Sequence, residues 1–151
     1  PKELLDTIIA AGLKAPSGMN RQSPVILAVT NREVRDELSA LNLSDDPFHR
    51  VDPFYGAPAV LVVLADKSAP TYLYDGALVM ENMLIAAHAL GLGACWIHRA
   101  KETFEKPEGK ALLQKLGIEG EYEGIGNCIV GYADAEPPEK PRRENRVHYV
   151  E

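Results

Sequence analysis

The chain has 151 residues, 46% of them hydrophobic, and a formal net charge of −6 from 22 acidic and 16 basic residues. That length predicts a single domain over 1–151. An acid excess with no basic, aromatic-studded face argues against nucleic acid or an anionic membrane as partner. No uncharged apolar run reaches the roughly 18 residues of a spanning helix. The N-terminal PKELLDT has neither the basic nor the apolar region of a secretory leader, and it lacks Met, as a trimmed chain would. Cys95 and Cys128 have apolar neighbours and no C-x-x-C spacing, which predicts two small buried thiols in a reducing, cytoplasmic compartment.

In chain order, residues 2–14 place Leu4, Leu5, Ile8, Ile9 and Leu13 at helical spacing, and Pro16 stops that helix. PVILAVT (24–30) is β-branched and apolar and reads as a strand. Asn31 caps a second helix carrying Val34, Leu38 and Leu41 on one side. Residues 43–57 mix Asp, Pro, Phe and Gly and form a loop. PAVLVVLA (58–65) is apolar at every position, the mark of a central strand covered on both faces. Residues 70–90 form the longest helix, with Asp75, Glu81, Asn82 and His88 its main polar positions. A helix apolar almost all round needs a second cover, either another subunit or the interior of a monomer. Gly91 is its C-cap. GACWIH (93–98) is a strand, 108–116 a short helix ended by Gly117, and NCIVGY (127–132) another strand. The tail, about 134–151, is proline-rich and charged and wraps over a surface; Val147 and Tyr149 alternate as an edge strand would. Alternating helices and strands predict an α/β or α+β sandwich.

Several chemistries fail on context. GLGACW and GIGNCIVG contain G-x-G, but neither follows a strand and opens a helix, so the dinucleotide fingerprint is absent. There is no P-loop and no G-x-S-x-G elbow. His49, His88, His98 and His148 lack metal-ligand spacing. Three other features point to a ligand. APSGMNRQSP (15–24) crowds Ser17, Asn20 and Gln22 between two prolines; side-chain amides donate and accept, which suits a heterocycle edge, although an Asx or Ser turn uses the same residues. KPRRENR (140–146) concentrates Lys140, Arg142, Arg143 and Arg146 in an acidic chain, either to grip a phosphate or as a solvated strap balanced by Glu139 and Glu144. CWIHRA (95–100) ends a strand with Trp96, the only tryptophan; α/β ligands bind near strand ends, and core packing would also account for it.

These segments together resemble the FMN-dependent nitroreductase family. KELLDTIIAAGLKAPSGMNRQSP is similar to its first helix and P-S-x-x-N-x-Q-P loop. YDGALVMENMLIAAHALGLGACWIHRA is similar to its interface helix and L-G-L-G-x-x-W-I strand. DPFYGAPAVLVVLAD and EGIGNCIVGYADAEPPEKPRRENRVHYV complete the match. The resemblance implies an α+β fold, a three-layer α-β-α sandwich with a mixed central sheet, in a homodimer with FMN between subunits. It places Pro16, Ser17, Gly18 and Asn20 against the flavin with Gln22 beside them. Trp96, Ile97 and His98 supply backbone to the ring, Asn42 is a ring-edge amide, and Lys140, Arg142 and Arg143 hold the phosphate. It further implies ping-pong hydride transfer from NADH or NADPH to nitroaromatic, quinone or similar acceptors, with no obligatory catalytic side chain and no metal. The family's R-R-S-x-R stretch before the first helix is not in this sequence, so truncation, weaker flavin binding and no flavin binding are open. So are a flavin-binding or structural dimer without turnover, and a flavin enzyme with another reductive reaction. Phe48, Phe54, Tyr72 and Tyr74 are candidates to shape the pocket.

Overall fold

The computed structural model describes residues 1–43 and 51–151; Phe48 and His49 lie outside the described residues. Helix α1 spans Lys2–Leu13 and leads through a single 3-10 turn, Gly18–Asn20, to strand β1, Pro24–Val29. Helix α2, Arg32–Leu43, strand β2, Ala59–Asp66, and helix α3, Tyr72–Ala89, follow. Strand β3 is Gly93–Ile97; α4, Ala100–Glu105, and α5, Pro107–Lys115, lead to β4, Tyr122–Gly131. The expected cap on α2 is present, the Val34 N–H donating to Asn31 Oδ1 at 3.0 Å. Helix α4 has no counterpart among the predicted elements, and β4 begins five residues before the strand predicted at 127.

The strands form one sheet in the order β1-β2-β4-β3. Strand β2, apolar from Ala59 to Ala65, is central, and its side chains alternate between two cores. Val60, Val62 and Leu64 pack with Leu38, Phe54, Phe104 and Leu112 from the α2, α4 and α5 side. Leu61 and Val63 pack with Ile8, Met80 and Met83 from the α1 and α3 side. The three α-β-α layers are therefore present, but the expectation of a mixed sheet is corrected, because all three pairings are antiparallel. Val29 pairs with Val60, so the excursion through α2 leaves and returns at one end of the sheet. Asp66 pairs with Tyr122, so the excursion through α3, β3, α4 and α5 does the same at the other end. Helix α3 does carry the chain from one end of the sheet to the other, so β2 and β3 run parallel, but β4 lies between them and pairs antiparallel with both.

Three smaller expectations are also corrected. Leu13 is exposed at the end of α1, and Cys95 is exposed on the edge strand while Cys128 is buried. Burial, with the neighbouring Cys95 thiol, pushes the Cys128 thiol up to about 12. Val147 and Tyr149 lie exposed on irregular backbone and add no strand to their own sheet.

A polar clasp ties the segment before β2 to α2. The Arg35 guanidinium pairs with Asp52, donates to the Ala57 carbonyl at 3.2 Å and stacks 5.5 Å above the Phe54 ring. Phe54 is thus a core residue and not a pocket wall. Asp52 also accepts from the Ser39 hydroxyl at 2.9 Å and from the Phe54 and Gly56 N–H groups at 3.0 and 2.8 Å. Burial alone would push its carboxyl up; the Arg35 hydrogen bond, then those from Gly56, Phe54 and Ser39, outweigh it and hold the carboxyl at about 2. A depressed carboxyl stabilises the fold above its unfolded value, and that contribution fades as pH falls from about 4 toward 2. Asp52→Asn should cost about 1–3 kcal/mol at neutral pH and flatten the acid limb of the stability curve between those values. Urea unfolding at pH 7 and at pH 3 checks both.

Candidate functional site

The loop 16–22 leaves α1 and is bolted to the first turn of α3. Asp75, 3% exposed, is the bolt. Its Oδ1 accepts the Gly18 N–H at 3.0 Å, and its Oδ2 accepts the hydroxyls of Thr71 at 2.8 Å and Ser23 at 3.3 Å. An acidic side chain there also suits the positive end of the helix. Inside the loop the Ser17 hydroxyl accepts the Gln22 N–H at 2.9 Å, and the Gln22 amide donates to Asn20 Oδ1 at 3.2 Å. Met19, Asn20 and Gln22 have φ values of 52°, 53° and 51°. Three non-glycine residues in the left-handed region within four positions are backbone strain that the anchor must hold. Gly18 is required for packing, since a Cβ there would sit 2.2 Å from Thr71 Oγ1.

The second element is the end of β3. The buried Asn127 amide donates to the Ile97 carbonyl at 3.4 Å, and the Asn42 amide donates to the His98 carbonyl at 3.0 Å. In trans peptides the next N–H points opposite each carbonyl. The His98 and Arg99 N–H groups are thereby aimed away from these two amides. Arg99, at φ 77°, turns the chain into α4. Asn42 is 1% exposed, and among the described residues its Oδ1 has no hydrogen-bond partner. A buried acceptor left unmatched costs about 1–3 kcal/mol. Trp96 and His98 line a cavity of about 240 Å³ against α3.

The third element is the tail, exposed throughout, Lys140, Arg142 and Arg143 included. One chain thus holds Pro16–Gln22 at the start of α3, joins Asn42 to His98 beside Trp96 and Ile97, and leaves the tail cations on neither. Tyr72, a candidate to shape a pocket, donates to Glu123, which lines that cavity, and Tyr74 is exposed on the outer face of α3. That face also carries exposed Leu78 and Ile85. Sequence reasoning missed Asp75 as an anchor; its signal was an acid inside a long apolar helix. Among the described residues no His, Cys, Asp and Glu group could hold a metal ion, and no helix is long and apolar enough to cross a membrane.

An α-β-α sandwich with this loop, this strand end and this bare helix face is the arrangement of a flavin-type reductase fold. The Nitroreductase family profile matches residues 41–133, and the chain belongs to that family. A nitroreductase with bound FMN from Bacteroides fragilis superposes with a TM-score of 0.89 at 30% identity, covering 100% of this chain and 88% of that one. A Desulfitobacterium hafniense nitroreductase with bound FMN gives 0.89 at 27% identity, with the same coverage. The NADPH-flavin oxidoreductase of Vibrio harveyi is 29% identical over 157 residues, 93% of this chain and 60% of that protein. The chain spans about half to two thirds of the length of the curated relatives it matches.

Proposed function

We propose that residues 1–151 form one flavin-binding domain of a cytoplasmic homodimeric oxidoreductase that uses FMN. The observation that carries this reading is the orphaned, buried Asn42 Oδ1 beside the Ile97–His98 turn. An acceptor there, with backbone N–H groups aimed away from it, is complementary to the mixed donor and acceptor edge of an isoalloxazine. Bound there, FMN would supply the two-electron chemistry between NADH or NADPH and a nitroaromatic, quinone or similar electron-poor acceptor, in ping-pong order. The chain's own residues bind and orient. Asn42 meets the ring edge, and Trp96, Ile97 and His98 back the ring. Pro16, Ser17, Gly18, Asn20 and Gln22, preset by Asp75, close over it from the partner. Lys140, Arg142 and Arg143 neutralise the phosphate. The second copy packs on the exposed face of α3, and the seam excludes water from the ring.

Purified protein should be yellow, or take up added FMN, and lose its colour with NAD(P)H under anaerobic conditions. Initial rates with both substrates varied should give parallel lines. Colourless protein that takes up no FMN overturns the reading; flavin that NAD(P)H leaves oxidised shows binding without turnover. Replacing Arg142 and Arg143 together by Ala should weaken FMN by about 1.5–3 kcal/mol for each lost charged contact, while the thermal midpoint of flavin-free protein stays put, because neither side chain is packed on its own fold.

A further inference from the structure

GIGNCIVG, which fails as a dinucleotide fingerprint, builds a pocket instead. The β2–β4 register slips between Val63 and Leu64, so Ile125 is a bulge between Gly124 and Gly126. Bulges bend a strand and re-aim a side chain. A Cβ at position 124 would lie 2.3 Å from the Ala100 carbonyl, and one at 126 would lie 2.4 Å from the Trp96 indole nitrogen. The two glycines therefore let α4 and the indole close in on the bulge. The result is the cavity of about 240 Å³, with Leu73, Ala77, Trp96 and Ile125 as apolar walls. A cavity of about 150 Å³ already holds benzene, so this one fits a single substituted ring.

Its polar side is arranged with care. The Glu123 side chain is 11% exposed, accepts the Tyr72 hydroxyl at 3.2 Å and lies 3.6 Å from Lys101 Nζ. Lys101 also reaches Glu105 at 3.9 Å. The rim carries Arg99 and Lys101 against Glu102 and Glu123, two charges of each sign. A carboxylate placed toward the Glu123 side of the cavity would have to displace Glu123 from Lys101 or lie beside it, and like charges at a partly buried site exclude a ligand more strongly than they would in water.

Resting on the flavin reading, because Trp96 and His98 place the cavity at the proposed ring site, we infer that it seats an uncharged single-ring aromatic acceptor. Glu123 is its specificity-determining residue and turns away acceptors that carry a carboxylate. The probes are p-nitrobenzamide and p-nitrobenzoate, nearly identical in shape and different in charge. Trp96 is the only tryptophan, so quenching of its emission, corrected for ligand absorbance, reads occupancy of the pocket without turnover. On the protein as purified, the amide should quench saturably and the benzoate should bind roughly tenfold or more weakly. Glu123→Gln should bring the two within about threefold, and Lys101→Met should widen the gap beyond wild type, because Glu123 then stands uncompensated. The kcat/KM ratio for the two acceptors should move in the same directions, chiefly through KM.

Equal binding of both probes by wild type, an unchanged ratio in Glu123→Gln or Lys101→Met, or no saturable quenching by either probe overturns the inference. Protein that takes up no FMN sinks the flavin reading, whereas a yellow, reducible protein without charge discrimination sinks this one alone.

Discussion

If the proposed seam on α3 joins two copies, Ile85→Glu should leave the protein monomeric without unfolding it. Ile85 is 58% exposed on α3 and Leu78 is 44% exposed, and both point away from the sheet that the same helix covers with Met80, Met83 and Ala87. Tyr74, Leu78 and Ile85 share this outer side at helical spacing. A lone chain would leave them as an apolar stripe in water, which marks an interaction surface. A glutamate at 85 would put one unpaired charge from each copy into the seam, at about 3 kcal/mol per copy and so roughly a 10⁴-fold loss of association. Light scattering after gel filtration should show the mass halved, far-ultraviolet circular dichroism should be unchanged, and FMN should no longer co-purify. A dimer of wild-type affinity would place the seam elsewhere. Ala87→Glu cannot serve as this test, since Ala87 is wholly buried against its own sheet and a charge there should unfold the subunit.

That contrast shows what the residues disclose by themselves. An α3 that is apolar on nearly every side announces two covers, but with so little asymmetry it does not say which residues meet which cover. Ala87 and Ile85 look alike in the sequence and differ completely in place. The central strand was legible because β2 has no polar position to put outward until Asp66, and the α2 start because Asn31 precedes a periodic helix. The antiparallel course was not legible, because it is decided by the end of the sheet to which each excursion returns. The start of β4 was hidden by Glu-Tyr-Glu-Gly-Ile-Gly, polar and glycine-rich, whose glycines serve the bulge and its close neighbours. Of the proposed site, the amides of the 16–22 loop and the tail arginines were candidates on their chemistry alone. Asp75 could not be tied to them, because 52 to 57 residues separate the carboxylate from its Ser23 and Gly18 partners.

Asp75→Ala should cost more than any single change in the loop it holds. It removes the acceptor of three donors at once, the Gly18 N–H and the hydroxyls of Thr71 and Ser23. Each donor left unmet in a buried place costs about 1–3 kcal/mol; with some rescue by water, a total of about 3–5 kcal/mol is expected. The consequence for the loop exceeds the loss of bonds. Met19, Asn20 and Gln22 hold left-handed backbone, which non-glycine residues leave when released. Freed from Asp75, the segment should relax toward ordinary conformations, and the presentation of Ser17, Asn20 and Gln22 would be lost before binding instead of being prepaid. Hydrogen exchange should then rise at 17–23 first, with the sheet still protected, and FMN affinity should fall by about 100-fold or more. Gly18→Ala should copy this phenotype at smaller amplitude, because the added methyl displaces the Thr71 side chain that donates to the same carboxylate. Asp75→Asn, which keeps one acceptor oxygen, should fall between the two. If Asp75→Ala lowers stability yet leaves loop exchange and flavin affinity at wild-type values, Asp75 merely packs the start of α3, and the strain in the loop is held by something else.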